Sequence, residues 1–386
     1  MNTHSTPHDP APGGPTDLDR QRNADLLTGY DYNKTPGGIT GYAGQDLQRI
    51  ARLDLTHHAV RTRVGPPGNY KAAMTCLDDD TLVLAVCRQD PDDDLFKLFI
   101  YESNDRGLIW QQIAATNLAA KEPSLTRTAD GAILLTAQHA DFRPDSQNVG
   151  VIIARSTDAG RTWTRADIPP SQYPKNVCLD HDSSLLFLTV GPSPDQIILH
   201  RSTDHGQTWT QSTGHLDWDR DRRAKFAEIA ILRLADRRLL AALRHYLPAH
   251  LNEDLNPTVR GHAFADTVLT ESADNGATWS RPRPLTGIGE VHTDLLQLTD
   301  GRLLATYVNY HLPFGACAVV SNDNGDTWDT DHPYQLSCSS FWPANNGWPV
   351  TLQLEDQSLL TCYAANAYPN DPPAAVCEVV RWNLAP

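Results

Sequence analysis

Apolar and polar positions alternate on a long scale in this chain. Short β-rich apolar runs come in pairs, and each pair flanks a polar turn that starts with Asp. The turn reads Asp79-Asp80-Thr81-Leu82-Val83 and Asp130-Gly131-Ala132-Ile133-Leu134. It returns at Asp182, Asp236, Asp300 and Asp356, each followed three residues later by Leu-Leu. A run such as Ala230-Ile231-Leu232-Arg233-Leu234 leads into the turn, and one such as Leu303-Leu304-Ala305-Thr306-Tyr307 leads out of it. Two apolar runs about a tight turn predict a β-hairpin. The hairpins are spaced by 51, 52, 54, 64 and 56 residues, a period that marks a repeat architecture.

Between the hairpins lies a second pattern, Ser-x-Asp-x-Gly-x-Thr-Trp. It is whole at Ser156–Trp163, Ser202–Trp209, Ser272–Trp279 and Ser321–Trp328, and degraded at Ser103–Trp110, where Ile109 replaces Thr. Its chemistry is that of a turn: Asp accepts backbone N–H groups, Gly takes a positive φ, and Trp packs into the adjoining layer. Six hairpins and five such turns predict an all-β fold, a six-bladed β-propeller of four-stranded antiparallel blades. No blade buries both faces alone, so residues 46–386 are expected to form one domain. Residues 1–45, rich in Gly, Pro, Asp and Asn, read as an N-terminal arm, partly disordered or packed on the ring by Tyr30, Tyr32 and Tyr42. The longest repeat carries a polar insertion over Tyr246–Asp266, either a flap over one face of the ring or a solvated excursion.

Composition narrows the classes of function. Of 386 residues, 40% are apolar, enough for a sizeable core, and 32 Lys+Arg against 47 Asp+Glu leave a net charge of −15. An acidic chain lacks the basic face that nucleic-acid binding requires. No apolar run reaches the roughly 18 residues of a membrane helix, so neither nucleic acid nor membrane is an expected partner. The first 15 residues are polar, without the basic and apolar regions of a secretory signal. The seven cysteines are odd in number and form no CxxC pair, so a cytoplasmic protein with reduced thiols is expected. No metal or cofactor is expected: there is no His-Glu-x-x-His helix, no clustered Cys/His spacing and no phosphate loop. A Gly-x-Ser-x-Gly elbow is also missing.

The repeat supplies a register, and the register points to a site. Positions eight residues before each hairpin Asp are equivalent and start the innermost strand. They are Lys71, Glu122, Pro174, Glu228, His292 and Trp348. Positions eight or nine after the Asp leave the second strand at the same end: Arg88, His139, Gly191, Arg244 (with His245 next) and Asn309. One end of the axis thus gathers cations, carboxylates, imidazoles and an indole, as a polar ligand site would. Each residue has a plainer reading. Lys71, Arg88 and Arg244 could pair with Glu122 and Glu228 only to tie blades together. His139 and His292 could be satisfied strand-end histidines, and Trp348 could be core rather than a platform for a sugar ring. The turn Asn345-Asn346-Gly347 favours the platform. The acidic run Asp90–Asp94 leaves the same mouth, so Asp93 or Asp94 is a candidate proton donor.

The Ser-x-Asp-x-Gly-x-Thr-Trp turn resembles the Asp box, and from about residue 60 onward the chain resembles the sialidase (neuraminidase) family of six-bladed propellers. In that family the boxes are structural. A sugar carboxylate is held by three arginines, a Tyr activated by a Glu attacks the anomeric carbon, and an Asp on a loop protonates the leaving group. The resemblance puts Glu228 and Arg244 in the places of the family's Glu and second Arg, and Arg88 with Asp93 or Asp94 in its Arg-loop-Asp segment. The first Arg falls on Lys71, which lacks the bidentate fork. The third falls on Cys317 and the Tyr on Trp348; Tyr310 and Tyr363 are substitutes outside the family's position.

The expected function is therefore a glycoside hydrolase with an altered site, acting on a terminal and acidic sugar. Asp93 or Asp94 would protonate the leaving oxygen while Glu228 or Glu122 activates water. Lys71, Arg88, His139, Arg244, Asn309 and Trp348 would bind the carbohydrate. Two alternatives stand beside it: a lyase in which His292 or His139 abstracts a proton next to a uronate carboxylate, and a propeller that binds glycans without turnover.

Overall fold

A computed structural model describes residues 59–90, 95–141, 150–166, 172–218, 225–246, 265–310, 315–337, 347–366 and 375–384, and within them every regular element is a strand. The first, β1 (Val60–Val64), belongs with the last three. Seven strands then form one sheet in sequence order: β2 (Tyr70–Cys76), β3 (Leu82–Gln89), β4 (Phe96–Ser103), β5 (Gln111–Arg127), β6 (Ile133–His139), β7 (Val151–Ser156) and β8 (Thr164–Ala166). The long β5 serves two groups of strands. Its first part pairs with β4 and its last part, from Ala120, with β6. A second sheet holds β9 (Cys178–Leu179), β10 (Leu185–Val190), β11 (Gln196–Ser202) and β12 (Thr210–Leu216). A third holds β13 (Lys225–Arg233), β14 (Leu239–Tyr246) and β15 (Ala265–Ser272). The two-residue β16 (Thr278–Trp279) then joins β12 in parallel, and β17 (Arg283–Pro284) joins β15. The fourth runs β18 (Glu290–Gln297), β19 (Leu303–Asn309), β20 (Gly315–Ser321), β21 (Tyr334–Gln335). The fifth is β22 (Gly347–Gln353), β23 (Leu359–Asn366) and β24 (Ala375–Trp382), with β1 on its outer edge.

All six Asp turns join adjacent antiparallel strands, as expected. In each, the Asp carboxylate is paired with the backbone N–H two residues on, from Thr81 N→Asp79 at 3.1 Å to Ser358 N→Asp356 at 3.1 Å. The residue just after each Asp (Asp80, Gly131, Ser183, Arg237, Gly301, Gln357) has φ between +62° and +91°. A short side chain that accepts its own turn's N–H stabilises this local reversal, which is why Asp recurs there.

The apolar runs are nearly continuous rather than alternating because both faces of each sheet are covered. In β3, Leu82, Leu84 and Val86 pack with Leu360, Cys362 and Val379 of the fifth sheet, while Val83, Ala85 and Cys87 pack with Leu135 and Ile152. In β14, Leu240 and Ala242 face Leu303 and Ala305, while Leu239, Ala241 and Leu243 face Leu186 and Leu188. Neighbouring groups of strands touch through β2 and β5, β10 and β13, β13 and β18, β18 and β22, and β22 and β2. These contacts bring five of the six register positions, Lys71, Glu122, Glu228, His292 and Trp348, together.

Residues 1–45, most of the Tyr246–Asp266 insertion, and Asp93 and Asp94 lie outside the described residues. No helix among the described residues is long and apolar enough to cross a membrane.

Candidate functional site

In β2, β5, β13, β18 and β22 the pairing with the next strand carries a bulge, and the bulge is where the register residues sit. Pairing slips between Tyr70 and Ala72, Lys121 and Ser124, Ala227 and Ala230, Val291 and Asp294, and Gly347 and Val350. At the slips, Lys71 (φ +43°), Glu122 (+57°), Glu228 (+47°), His292 (+59°) and Trp348 (+58°) all take the left-handed conformation. A bulge re-aims a side chain, and a non-glycine residue held at positive φ costs about 1–3 kcal/mol. Five repetitions of that cost at equivalent places mark a constraint beyond folding of the strand. The sixth position, Pro174, cannot follow, because its ring fixes φ near −65°. Its neighbours Tyr173 and Lys175 reach the axis instead.

Six of the predicted residues form one chain of contacts. Lys71 Nζ is ion-paired with Glu122 Oε1 and lies 4.8 Å from the Trp348 ring centre. The Trp348 and His292 rings are 5.8 Å apart. His292 Nδ1 meets Glu228 Oε2 at 2.5 Å, and Arg244 Nη1 donates to Glu228 Oε1 at 2.9 Å. Of the rest of the cluster, the sequence singled out only Tyr310, as a substitute for the family's Tyr. Tyr173 lies 6.2 Å from Trp348, and Lys175 Nζ lies 4.6 Å from the same ring and donates to Pro349 O at 3.1 Å. Tyr246 stacks on the Arg244 guanidinium at 4.6 Å, and Tyr310 lies 6.0 Å from His292. The one signal for Tyr173 and Lys175 was their place beside the odd Pro174.

Trp348 departs from expectation. It is fully buried, with Nε1 donating to Pro123 O at 3.2 Å, so it separates two lysines and an imidazole rather than offering an open face to a sugar. Arg88 also stands elsewhere: Nη1 donates to Asn69 Oδ1 at 3.1 Å and the guanidinium caps the Phe99 ring at 3.7 Å. His139 and Asn309 are buried at the ends of β6 and β19. Tyr363 donates to Glu378 Oε2 at 2.9 Å, and Cys317 is buried with its Sγ toward Gln335 Oε1 at 3.3 Å.

Burial sets the ionisation of the cluster. It opposes charge on Glu228, but Arg244 and His292 outweigh it and hold the carboxyl well below its usual range. Burial drives His292 down to about 4 despite Glu228 beside it, so at neutral pH the imidazole is uncharged and donates Nδ1–H to the carboxylate. Burial also opposes charge on Lys71, yet Glu122 chief among its neighbours keeps it above the ordinary lysine value. Desolvation pushes Tyr70 up to about 12 and raises Tyr173, Tyr246 and Tyr310, so these phenols are neutral donors rather than nucleophiles. Beneath Trp348, burial lowers Lys175 and raises Asp294, each partly offset by the other.

The two carboxylates differ in what they leave open. Both oxygens of Glu228 are taken. Glu122 gives Oε1 to Lys71, while its buried Oε2 has no hydrogen-bond partner within 3.5 Å among the described residues, although the Tyr173 phenol also interacts with this carboxylate.

The family model for the BNR repeat-like domain matches residues 249–364. A comparison with curated protein sequences finds no match. Among solved structures, a protein of unknown function from Dyadobacter fermentans matches with TM-score 0.66 at 19% identity, over 85% of this chain and 100% of that one. The intramolecular trans-sialidase of Ruminococcus gnavus, in complex with oseltamivir carboxylate, matches with TM-score 0.56 at 14% identity, over 82% and 94%. The GH93 α-L-arabinofuranosidase of Fusarium graminearum, in complex with arabinobiose, matches with TM-score 0.58 at 13% identity, over 83% and 97%. Residues 249–364 thus match a BNR repeat-like domain, and over 82–83% of its length the chain shares the all-β fold of these sialidase and arabinofuranosidase structures.

Proposed function

We propose that the strand groups are the blades of one six-bladed β-propeller, the seven-stranded sheet counting as two blades that share β5, and that the axial cluster is the centre of a glycoside hydrolase acting on a terminal sugar. The observation that carries this reading is Glu122 Oε2. A buried carboxylate oxygen without a partner is costly and rare, and it calls for a water or a ligand hydroxyl. Glu122 is then the better candidate to activate water, and Glu228, saturated by Arg244 and His292, the fixed anion that orients them. The proton donor remains Asp93 or Asp94, as the sequence suggests. The resemblance in fold to a trans-sialidase and an arabinofuranosidase supports carbohydrate as the substrate class.

Removing a general acid or base costs typically 10²–10⁴ in rate. Glu122→Gln is expected to lower kcat on an aryl glycoside or oligosaccharide by about that factor, with KM little changed, and Asp94→Asn to do the same. Absence of any sugar release by the wild-type protein across a broad panel of glycosides would overturn the reading.

One observation favours a second reading, a propeller that binds glycans without cleaving them. Two polar links of the cluster run between strands of different groups: the ion pair of Lys71 on β2 with Glu122 on β5, and the hydrogen bond from His292 on β18 to Glu228 on β13. Such links also serve to tie blades together. Saturable glycan affinity without product would select it.

A further inference from the structure

The charges in the cluster are already matched. Lys71 faces Glu122, Arg244 faces Glu228, and Lys175 faces Asp294 across the floor. His292 adds no positive charge, since its imidazole is neutral. At the edge, His245 Nδ1 meets Asp266 Oδ1 at 2.9 Å. The one sequence-predicted cation outside these pairs, Arg88, is held by neutral groups, the Asn69 amide and the Phe99 face. A sugar carboxylate entering this cluster would meet the anions Glu122 and Glu228, while the cations beside them, Lys71 and Arg244, are already ion-paired. In a buried setting such like-charge contact is strongly unfavourable. What the cluster does offer is hydroxyl chemistry: the Glu122 carboxylate as acceptor, with the Tyr173 phenol beside it, and the neutral phenol of Tyr246, groups that donate to or accept from a sugar hydroxyl.

We propose that the axial cluster recognises an uncharged, polyhydroxylated sugar, not the acidic sugar that resemblance to sialidases implies. This rests on the cluster being a carbohydrate site but not on its being catalytic.

The experiment is equilibrium binding by calorimetry to sugars that differ in charge. Neutral ligands are methyl α-L-arabinofuranoside, methyl galactoside and methyl glucoside; acidic ones are methyl galacturonide, methyl glucuronide and N-acetylneuraminic acid. The full chain is expected to bind at least one neutral sugar about tenfold or more tighter than its uronide counterpart or, for the furanoside, than any acidic ligand. Glu122→Gln, which frees the Lys71 ammonium, is expected to narrow or reverse that preference by roughly tenfold, a change that a purely structural Glu122 would not produce. An acidic sugar that binds as tightly as its neutral partner, or no neutral sugar binding at millimolar concentration, overturns the proposal. Neutral-sugar binding without turnover leaves it standing and removes only the hydrolase.

Discussion

At the residue scale, the backbone conformation of five side chains was encoded in their spacing from an Asp turn. Lys71, Glu122, Glu228, His292 and Trp348 are of four different residue types, yet each sits at an equivalent bulge with the same sign of φ. Counting back from the Asp found them because every repeat has the same hairpin length. What spacing could not reveal was partnership and depth. The ion pair of Lys71 with Glu122 depends on the twist between β2 and β5, and the complete burial of Trp348 depends on Tyr173 and Lys175 arriving from either side of Pro174. Ionisation at this site yields a test. His292 is held at about 4 against an ordinary 6.5, so between those values the unfolded chain binds a proton that the folded chain does not. Stability from this group is therefore full above pH 6.5 and is lost as pH falls towards 4. Glu228, whose carboxyl is depressed when folded, contributes above its ordinary 4.5 and loses that contribution as pH falls through its lower folded value. His200 is also held at about 4 by burial, but it stays in both proteins when His292→Gln is compared with wild type. Chemical denaturation from pH 7 to pH 4.5 should show a shallower loss of stability in His292→Gln, by about one proton's worth of slope. A steeper loss in the variant would mean that His292 is charged in the folded protein.

At the element scale, the Ser-x-Asp-x-Gly-x-Thr-Trp turns repeat atom for atom. In the copy at Ser202–Trp209, Ser202 Oγ accepts Gly206 N–H at 2.8 Å, Asp204 accepts Thr208 N–H at 2.9 Å and the Thr208 hydroxyl, and Trp209 Nε1 donates to Gly206 O at 3.1 Å. A Cβ on Gly206 would lie 2.5 Å from Leu134 of β6, so the turn docks on the preceding strands. The degraded copy shows what Thr adds. Asp105 still accepts the N–H groups of Leu108 and Ile109, at 3.0 and 2.9 Å, but the hydroxyl bond is missing and Ile109 leaves 72% of its surface exposed. Ile109→Thr restores the hydroxyl and removes an exposed apolar side chain. It should stabilise the protein by about 0.5–1.5 kcal/mol, the net worth of one hydrogen bond. Thermal or urea unfolding at neutral pH checks it, and an unchanged or lowered midpoint would show that the bond does not form. These turns were legible because their chemistry is local. The pairing of β16 with β12 rather than with its own neighbours was not, since two residues carry no periodic signal.

At the scale of the whole molecule, the order of the sheets depends on one non-local step, the pairing of β1 with β24. Val60 to Val64 lie in antiparallel register with Arg381 to Cys377, so the start of the described chain supplies the outer strand of its last sheet. The Gly107 turn adds a second tie, since a Cβ there would lie 2.6 Å from Leu360 of β23. Nothing in the 54-residue rhythm of the hairpins announces β1, because its run Val60-Arg61-Thr62-Arg63-Val64 is polar at its centre and mostly exposed. Its removal should act on the whole molecule rather than on one edge. Without β1, the backbone donors and acceptors of β24 between Cys377 and Arg381 lose their partners, and an uncovered strand edge recruits other chains. Val64, fully buried with Leu82, Leu360 and Val379, would take part of the apolar contact between the first and last sheets with it. A chain starting at Gly65, compared with one starting at Ala59, is therefore expected to melt several degrees lower in a single cooperative step and to self-associate, as scanning calorimetry and light scattering would record. A local role for β1 would give a different result: faster amide exchange confined to β24, an unchanged melting temperature and a monomer.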